Sequence, residues 1–359
     1  MQQILERFQD QVRTAAAGKG ALRIRGGGSK DWYGQRFEGE ILDTRAYAGI
    51  VDYEPTELVI TARCGTPLAE IEAVLAERRQ MLAFEPPHFA HFGGGGATLG
   101  GTIAAGLSGP RRASSGALRD FVLGAKLLDG KGDVLTFGGQ VMKNVAGYDV
   151  SRLLAGSLGT LGLLLEVSVK VLPLAYREAT LRFEMNEVDA IRKLNEWGGQ
   201  PLPLSGSCWH EGVLALRLSG AQAAVDAAVR ALGTAHGGSL TPDCAGFWAD
   251  LREQRHAFFN GDAPLWRLSV PSTAGALDLG PQLIEWGGAQ RWLRADGDAA
   301  TAQRIRAALA GCGGHATLFR GGDKSIGVFQ PLAPALMKIH ERLKAGFDPS
   351  NIFNPGRMY

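Results

Sequence analysis

Three groups of small residues stand where a chain can cradle phosphate. Gly26-Gly27-Gly28-Ser29-Lys30 follows the strand-like run ending at Arg25. A second stretch runs from Thr98 to Gly109, and a third spaces Gly156, Gly159 and Gly162 three apart, directly before the strand-like run Leu163 to Val171. Glycine serves positive φ or close approach of the backbone, and backbone N–H groups at such turns converge on anions. The chemistry is therefore nucleotide phosphate binding, but the common motifs fail. Gly18-Lys19 and Gly130-Lys131 are each followed by glycine, which breaks the Walker pattern. Gly26 and Gly28 begin a dinucleotide fingerprint whose third glycine position is Asp31, and no apolar helix start follows. Taken alone, the first loop reads equally well as a plain strand–turn.

The elements that must position these loops are legible in outline. Ile4, Leu5, Phe8, Val12, Ala15 and Ala16 fall at helical spacing. The spacing predicts strands over ALRIR, ILDT and ELVITA. It predicts a helix over GTPLAEIEAVLAERR with Thr66 as N-cap, Pro67 at its first position, and Arg78 and Arg79 in its last turn. MLAF, a loop from Glu85, and a short helix near TIAAGL follow. FVLGAKLLDGKGDVLTFG reads as a hairpin turning at Asp129 to Gly132. From about residue 175 the style changes. Short strands alternate with helical patterns, six of the seven tryptophans appear there, and no internal repeat is evident. A last helix, APALMKIHERLKAGF, precedes an extended tail.

Composition bounds the rest. The chain has 359 residues, enough for two cores. Its 50 glycines lie far above the roughly 7% of average chains. With 38 basic and 36 acidic residues the net charge is +2, which gives nucleic acid no support as partner. Cys64, Cys208, Cys244 and Cys312 form no C-x-x-C pair and no disulfide framework, so a cytoplasmic location is expected. The start of the chain is amphipathic and carries acids, unlike a signal peptide.

Taken in order, the loops, P-P-H at Pro86, A-T-L-G-G-T-I-A-A-G-L-S-G, G-A-L-R-D-F-V-L-G, K-N-V-A-G-Y-D, G-S-L-G-T-L-G and the late N-P-G resemble one known fold. It is the FAD-binding domain of the vanillyl-alcohol oxidase and para-cresol methylhydroxylase (PCMH-type) superfamily. The implied fold class is α+β: a two-lobed FAD-binding PCMH-type domain over 1–174, a second α+β cap domain over 175–330, and a helix and tail over 331–359 that return to the FAD domain. The resemblance implies FAD contacts from Arg25, Gly26, Gly27, Gly28, Ser29, Lys30, Pro86, Thr98, Leu99, Gly100, Gly101, Ala104, Ala105, Gly106, Ser108, Gly109, Gly116, Gly159, Thr160, Gly162, Leu163 and Asn354. It places the pyrophosphate at the first loop, the adenosine half beside Gly159 to Leu163, and Asn354 near the flavin ring. Two departures stand out: Ala105 and Gly106 replace a threonine and an asparagine, and Leu158 replaces a glutamate. Asp120, at the end of the second motif, is assigned to folding. FAD is expected to be non-covalent, since the first loop has no histidine or cysteine and Cys64 reads as a core residue.

The stretch GGQVMKNVAGYDVSRLLAGSLGTLG with FDPSNIFNPGRMY is similar to the E-subunit family of bacterial glycolate oxidase. That family implies a larger FAD-binding subunit and an iron–sulfur subunit as partners, glycolate as substrate, and membrane association only through the complex. The H-x-G-D-G-N-x-H metal and base motif of related enzymes is missing, and no metal site is expected. His88 and His91 are close together but read as loop residues. Arg267 and Arg291 are the candidate carboxylate ligands, with a structural ion pair or a solvent-facing position as the plainer reading of Arg267. The tryptophans read as core or as subunit contacts. Three functions remain open: an FAD-carrying subunit of a glycolate-oxidising complex, a self-sufficient hydroxy-acid dehydrogenase, and a scaffold without cofactor.

Overall fold

The computed structural model describes residues 1–139, 149–241 and 244–358. Lys143 to Tyr148 of the K-N-V-A-G-Y-D element lie outside them. The chain divides into two compact units, one of Met1–Ser108, Ala117–Pro173 and Pro331–Tyr359, the other of Gly109–Gly116 and Leu174–Gln330.

The first unit is built on a five-stranded antiparallel sheet. Strands β1 (Leu22–Arg25) and β2 (Glu40–Asp43) form a separate parallel pair. Next come β3 (Ile50–Glu54), β4 (Val59–Arg63), the two-residue β5 (Gln80–Met81), β6 (Val122–Leu128), β7 (Val134–Gly138), β8 (Leu163–Lys170) and the two-residue β9 (Leu172–Pro173). The sheet order is β3-β4-β8-β6-β7. The run Leu163 to Val169 is buried on both faces, Glu166 and Ser168 included, as suits the central place of β8. Helix α1 (Gln2–Gly18) buries Phe8 and Val12 one turn apart and ends on Lys19 in the left-handed region. Helix α2 (Leu68–Glu77) buries Leu68, Ile71 and Leu75 on one face.

Two expectations about α2 need correction. Pro67, not Thr66, occupies the N-cap position; the Thr66 hydroxyl instead exchanges hydrogen bonds with the backbone of Gly49. Arg78 and Arg79 lie past the helix, Arg79 at φ 53, because the chain turns there into β5.

The second unit carries an eight-stranded sheet: β10 (Arg177–Glu184), β11 (Leu204–His210), β12 (Val213–Gly220), β13 (Ser239–Thr241), β14 (Leu265–Ser269), β15 (Gln282–Glu285), β16 (Gln290–Arg294) and β17 (His315–Arg320). The order β13-β10-β12-β11-β15-β16-β14-β17 contains a duplication. The first four strands run 4-1-3-2 and the last four 2-3-1-4, joined where β11 pairs with β15. Helices Glu187–Gly198 and Gln222–His236 complete a β-α-β-β-α-β unit in the first half; the second half keeps only Ala299–Ala310. Each half has its own apolar core, around Trp197, Leu216 and Val225 in one and around Trp266, Leu293 and Ile305 in the other. A repeat thus exists where the sequence displays none, because only burial pattern and topology are shared.

Candidate cofactor cleft

The loop after β1 stays open because its neighbours come very close. A side chain at Gly27 would collide with the Gly96 carbonyl oxygen, and one at Gly26 with the Thr98 hydroxyl. Gly28 sits at φ +79, a conformation that disfavours side chains. Gly95 donates its N–H to the Gly27 carbonyl, so the loop is clamped from outside. Its own donors face elsewhere. Among the described residues no acceptor receives the N–H groups of Gly26, Gly27, Gly28 or Ser29.

The third glycine group answers the question of what approaches it. At Gly156 the neighbour is Gly106, whose missing side chain leaves room for the Gly156 backbone; at Gly159 it is Asn354, and at Gly162 the Leu128 carbonyl. These glycines admit other parts of the same chain. Gly159 and Gly162 in addition face the cleft.

That cleft lies wholly within the first unit. Of the sequence-derived residues it is lined by Arg25, Gly26, Gly27, Gly28, Ser29, Lys30, Thr98, Gly100, Gly101, Ala104, Ala105, Gly159, Gly162, Leu163 and Asn354. Seven others do not line it. Leu99 is a core residue at the start of helix α3 (Leu99–Ala105), Gly106 caps that helix at φ 65, and Pro86 is buried in its loop. The Ser108 hydroxyl accepts from Leu118 N–H at 3.0 Å, and the Thr160 hydroxyl donates to the Ser157 carbonyl at 2.8 Å. In the second unit the Gly109 carbonyl accepts from the Trp286 indole at 3.1 Å, and Gly116 ends a short helix at φ 104. Asp120 closes its own turn by accepting from Ala117 N–H at 2.8 Å.

The sequence reading missed Ile24, Asp31, Phe37, Thr44, Cys64, Leu158, Leu164 and Arg357 as lining residues. Most carry no motif signal. Cys64 is a core thiol whose burial pushes its pKa up to about 12, which keeps it protonated and unreactive.

The late tail builds one wall. Leu22 N–H donates to Ile352 at 2.7 Å and Asn354 N–H returns to Leu22 at 2.9 Å, so the tail runs alongside β1 in parallel. The Asn354 side chain then accepts from Ile24 N–H at 2.9 Å and donates to the Leu158 carbonyl at 2.7 Å. Lys344, buried in the helix Pro334–Phe347, donates to the carbonyls of Thr160 (2.7 Å) and Phe353 (2.9 Å) and to Asp348. Burial lowers its pKa, and the Asp348 carboxylate opposes that shift. Asp348 in turn accepts from the N–H groups of Ile352 and Phe353.

The charged residues lining the cleft are Arg25, Lys30, Arg357 and one acid, Asp31, which Arg25 holds at 2.7 Å. Unpaired N–H groups with surplus cations suit an anionic dinucleotide. FAD, with its diphosphate, fits this donor set.

The candidate substrate ligands fare differently. Arg291 is fully buried and spends its guanidinium on the carbonyls of Gly275 (2.7 Å), Gly288 (3.3 Å) and Ala274; it is a structural residue, and its assignment as a carboxylate ligand is withdrawn. Arg267 stands in β14, half-buried, with its guanidinium over the Phe319 ring at 5.6 Å. His88 bonds Glu72 at 2.9 Å. Trp197, Trp248, Trp266 and Trp292 are buried in the second unit itself, so of the two readings, core or subunit contact, these four take the core.

Residues 5–138 match the family model described as FAD binding domain. The chain is 49% identical to glycolate oxidase subunit GlcE of Escherichia coli (strain K12) over 352 residues, 98% of this chain and 96% of that one. It is 40% identical to glycolate oxidase subunit GlcD of Bacillus subtilis (strain 168) over 93 residues, 26% of this chain and 20% of that one. Among solved structures, an alkyldihydroxyacetonephosphate synthase superposes with a TM-score of 0.66 at 16% identity, covering 97% of this chain and 74% of that one, which establishes a shared fold.

Proposed function

The chain belongs to the glycolate oxidase subunit GlcE family, and we propose that it is an FAD-carrying subunit of a complex that oxidises glycolate to glyoxylate. FAD is its cofactor, and it is an oxidoreductase acting on CH–OH groups. The observation that carries the reading is the clamped loop Gly26 to Ser29, whose N–H groups find no acceptor among the described residues while opening on a cation-rich cleft. Bound there, FAD supplies hydride acceptance. The chain's own residues hold and orient it. The loop donors would take the diphosphate. Gly159 and Asn354 touch each other and would border one and the same end of the cofactor, so adenosine beside Gly159 and the flavin ring beside Asn354 do not both hold.

Binding is non-covalent. Cys64 is the one cysteine at the cleft and its thiol is held protonated. The partners are a GlcD-like larger subunit and an iron–sulfur subunit, and these carry the electrons onward. Among the described residues no group of histidine, cysteine and acid side chains is disposed to hold a metal, and no helix is long and apolar enough to cross a membrane. Any membrane contact is made through the partners.

The test is glycolate-dependent dye reduction by the FAD-loaded chain, compared with the same chain co-expressed with its complex. The expected result is a yellow protein that releases all flavin to an acid supernatant and turns over poorly until the complex is present. Equal turnover per flavin in both samples would establish a self-sufficient dehydrogenase instead.

A further inference from the structure

Arg357 is 95% buried, and its Nη1 has no hydrogen-bond partner among the described residues although it lines the cofactor cleft. Its Nη2 donates to the carbonyls of Tyr33 at 2.8 Å and Lys30 at 3.2 Å, on the outgoing end of the glycine loop. The guanidinium lies 3.6 Å from the Phe37 ring centroid, and Arg23 packs on the same ring at 4.9 Å. No carboxylate forms an ion pair with Arg357 among the described residues. The acid whose charge acts on it, Asp31, is bound to Arg25 at 2.7 Å. Asp43, which also feels Arg25, is held by Arg45.

A guanidinium buried beside a second one, with no anion of its own, is costly unless an anionic ligand completes the set. Burial pushes its pKa down, to about 10, against the opposing Asp31 carboxylate, and the neighbouring Arg23 adds to the fall. Loop closure alone does not require this residue, because a neutral amide can donate to the same two carbonyls. The charge needs another explanation.

We propose that Arg357 is a positioning residue for the cofactor's diphosphate. It fixes the Lys30 to Tyr33 end of the loop through its carbonyl bonds and supplies buried positive charge beneath the N–H groups of Gly26 to Ser29. The proposal rests on the FAD reading above and adds a residue to it. The ligand class it serves is a nucleoside diphosphate moiety, not the flavin ring.

Three probes separate charge from clamp in the cofactor-stripped full chain: FAD, ADP and adenosine, titrated by calorimetry. Arg357→Gln keeps a donor for the carbonyls and removes the charge. Arg357→Lys keeps the charge and loses the planar fork. Wild type is expected to prefer ADP to adenosine. Arg357→Gln should weaken FAD and ADP roughly tenfold to a hundredfold, on the scale of charge-assisted bonds, and leave adenosine unchanged. Arg357→Lys should keep most of the preference for ADP. Equal losses for ADP and adenosine in Arg357→Gln, or unchanged FAD affinity, would overturn the proposal while leaving the FAD reading intact. A wild-type chain that takes up neither FAD nor ADP would overturn both. If Arg357→Gln does not fold, the lysine variant still decides: a lost preference for ADP despite a retained charge refutes the electrostatic role.

Discussion

Asn354 donates its side-chain amide to the carbonyl of Leu158 at 2.7 Å, across 196 residues of sequence. The same side chain accepts from Ile24 N–H, so one amide joins β1, the Leu158–Gly159 turn and the tail. Gly159 leaves the room for it: a Cβ there would stand 2.8 Å from the amide nitrogen. Replacing Asn354 by aspartate keeps the shape and the acceptor but turns the donor towards Leu158 into a second acceptor. We expect a loss of roughly 1–3 kcal/mol and reduced FAD retention, measured by urea unfolding and by flavin absorbance per protein.

Gly27 tests the loop's geometry. Its neighbour is the Gly96 carbonyl, a backbone atom that cannot rotate aside. Gly27→Ala is therefore expected to cost more than about 2 kcal/mol and to abolish FAD uptake, whereas Gly96→Ala, which meets nothing within 4 Å, should bind FAD as wild type does. Flavin fluorescence quenching on titration reads both.

Arg291 supplies a negative control for substrate binding. Arg291→Met strands the carbonyls of Ala274, Gly275 and Gly288 and should cost roughly 2–5 kcal/mol. Soluble variant protein should still fill with FAD, because the residue serves the second unit's own packing. A variant of unaltered stability that loses glycolate affinity would restore it as a substrate ligand.

His210 and His256 make a pH prediction. Their rings meet edge to face at 5.4 Å, and burial holds both pKa values below the ordinary 6.5. The folded chain keeps them neutral while the unfolded chain takes up protons near pH 6.5. Their contribution to stability is complete above that pH and is lost as the pH falls through the lower folded values. The urea midpoint should drop between pH 7 and pH 5, and His210→Phe should shrink the drop. An identical drop in the variant would assign the acid sensitivity to other groups.

Sequence reasoning reached the cleft because glycine is informative where backbones crowd. Gly26, Gly28, Gly100 and Gly159 stand in positions that tolerate little else, and composition exposes them. Arg357 and Phe37 were invisible for the opposite reason. One arginine among 38 basic residues signals nothing until folding strips it of water and of counterions. Arg291 was misread on the same ground, since a strand arginine beside tryptophans looks alike whether it faces substrate or three backbone carbonyls. The duplication in the second unit escaped because the two halves share strand order and burial, and one helix is missing from the second.

The parallel run of residues 352–354 beside Leu22 has a consequence for biogenesis. The cleft's first wall is synthesised early, but the wall that holds Ile24 and Leu158 in place emerges some 330 residues later. Pairing at such sequence separation is slow to nucleate. The second unit, encoded mostly between residues 174 and 330, leaves the ribosome in the interval and has the time to complete its own two cores. Cofactor capture is accordingly expected only once Asn354 has emerged, and nascent chains arrested before it should fail to retain flavin even when the glycine loop is fully extruded.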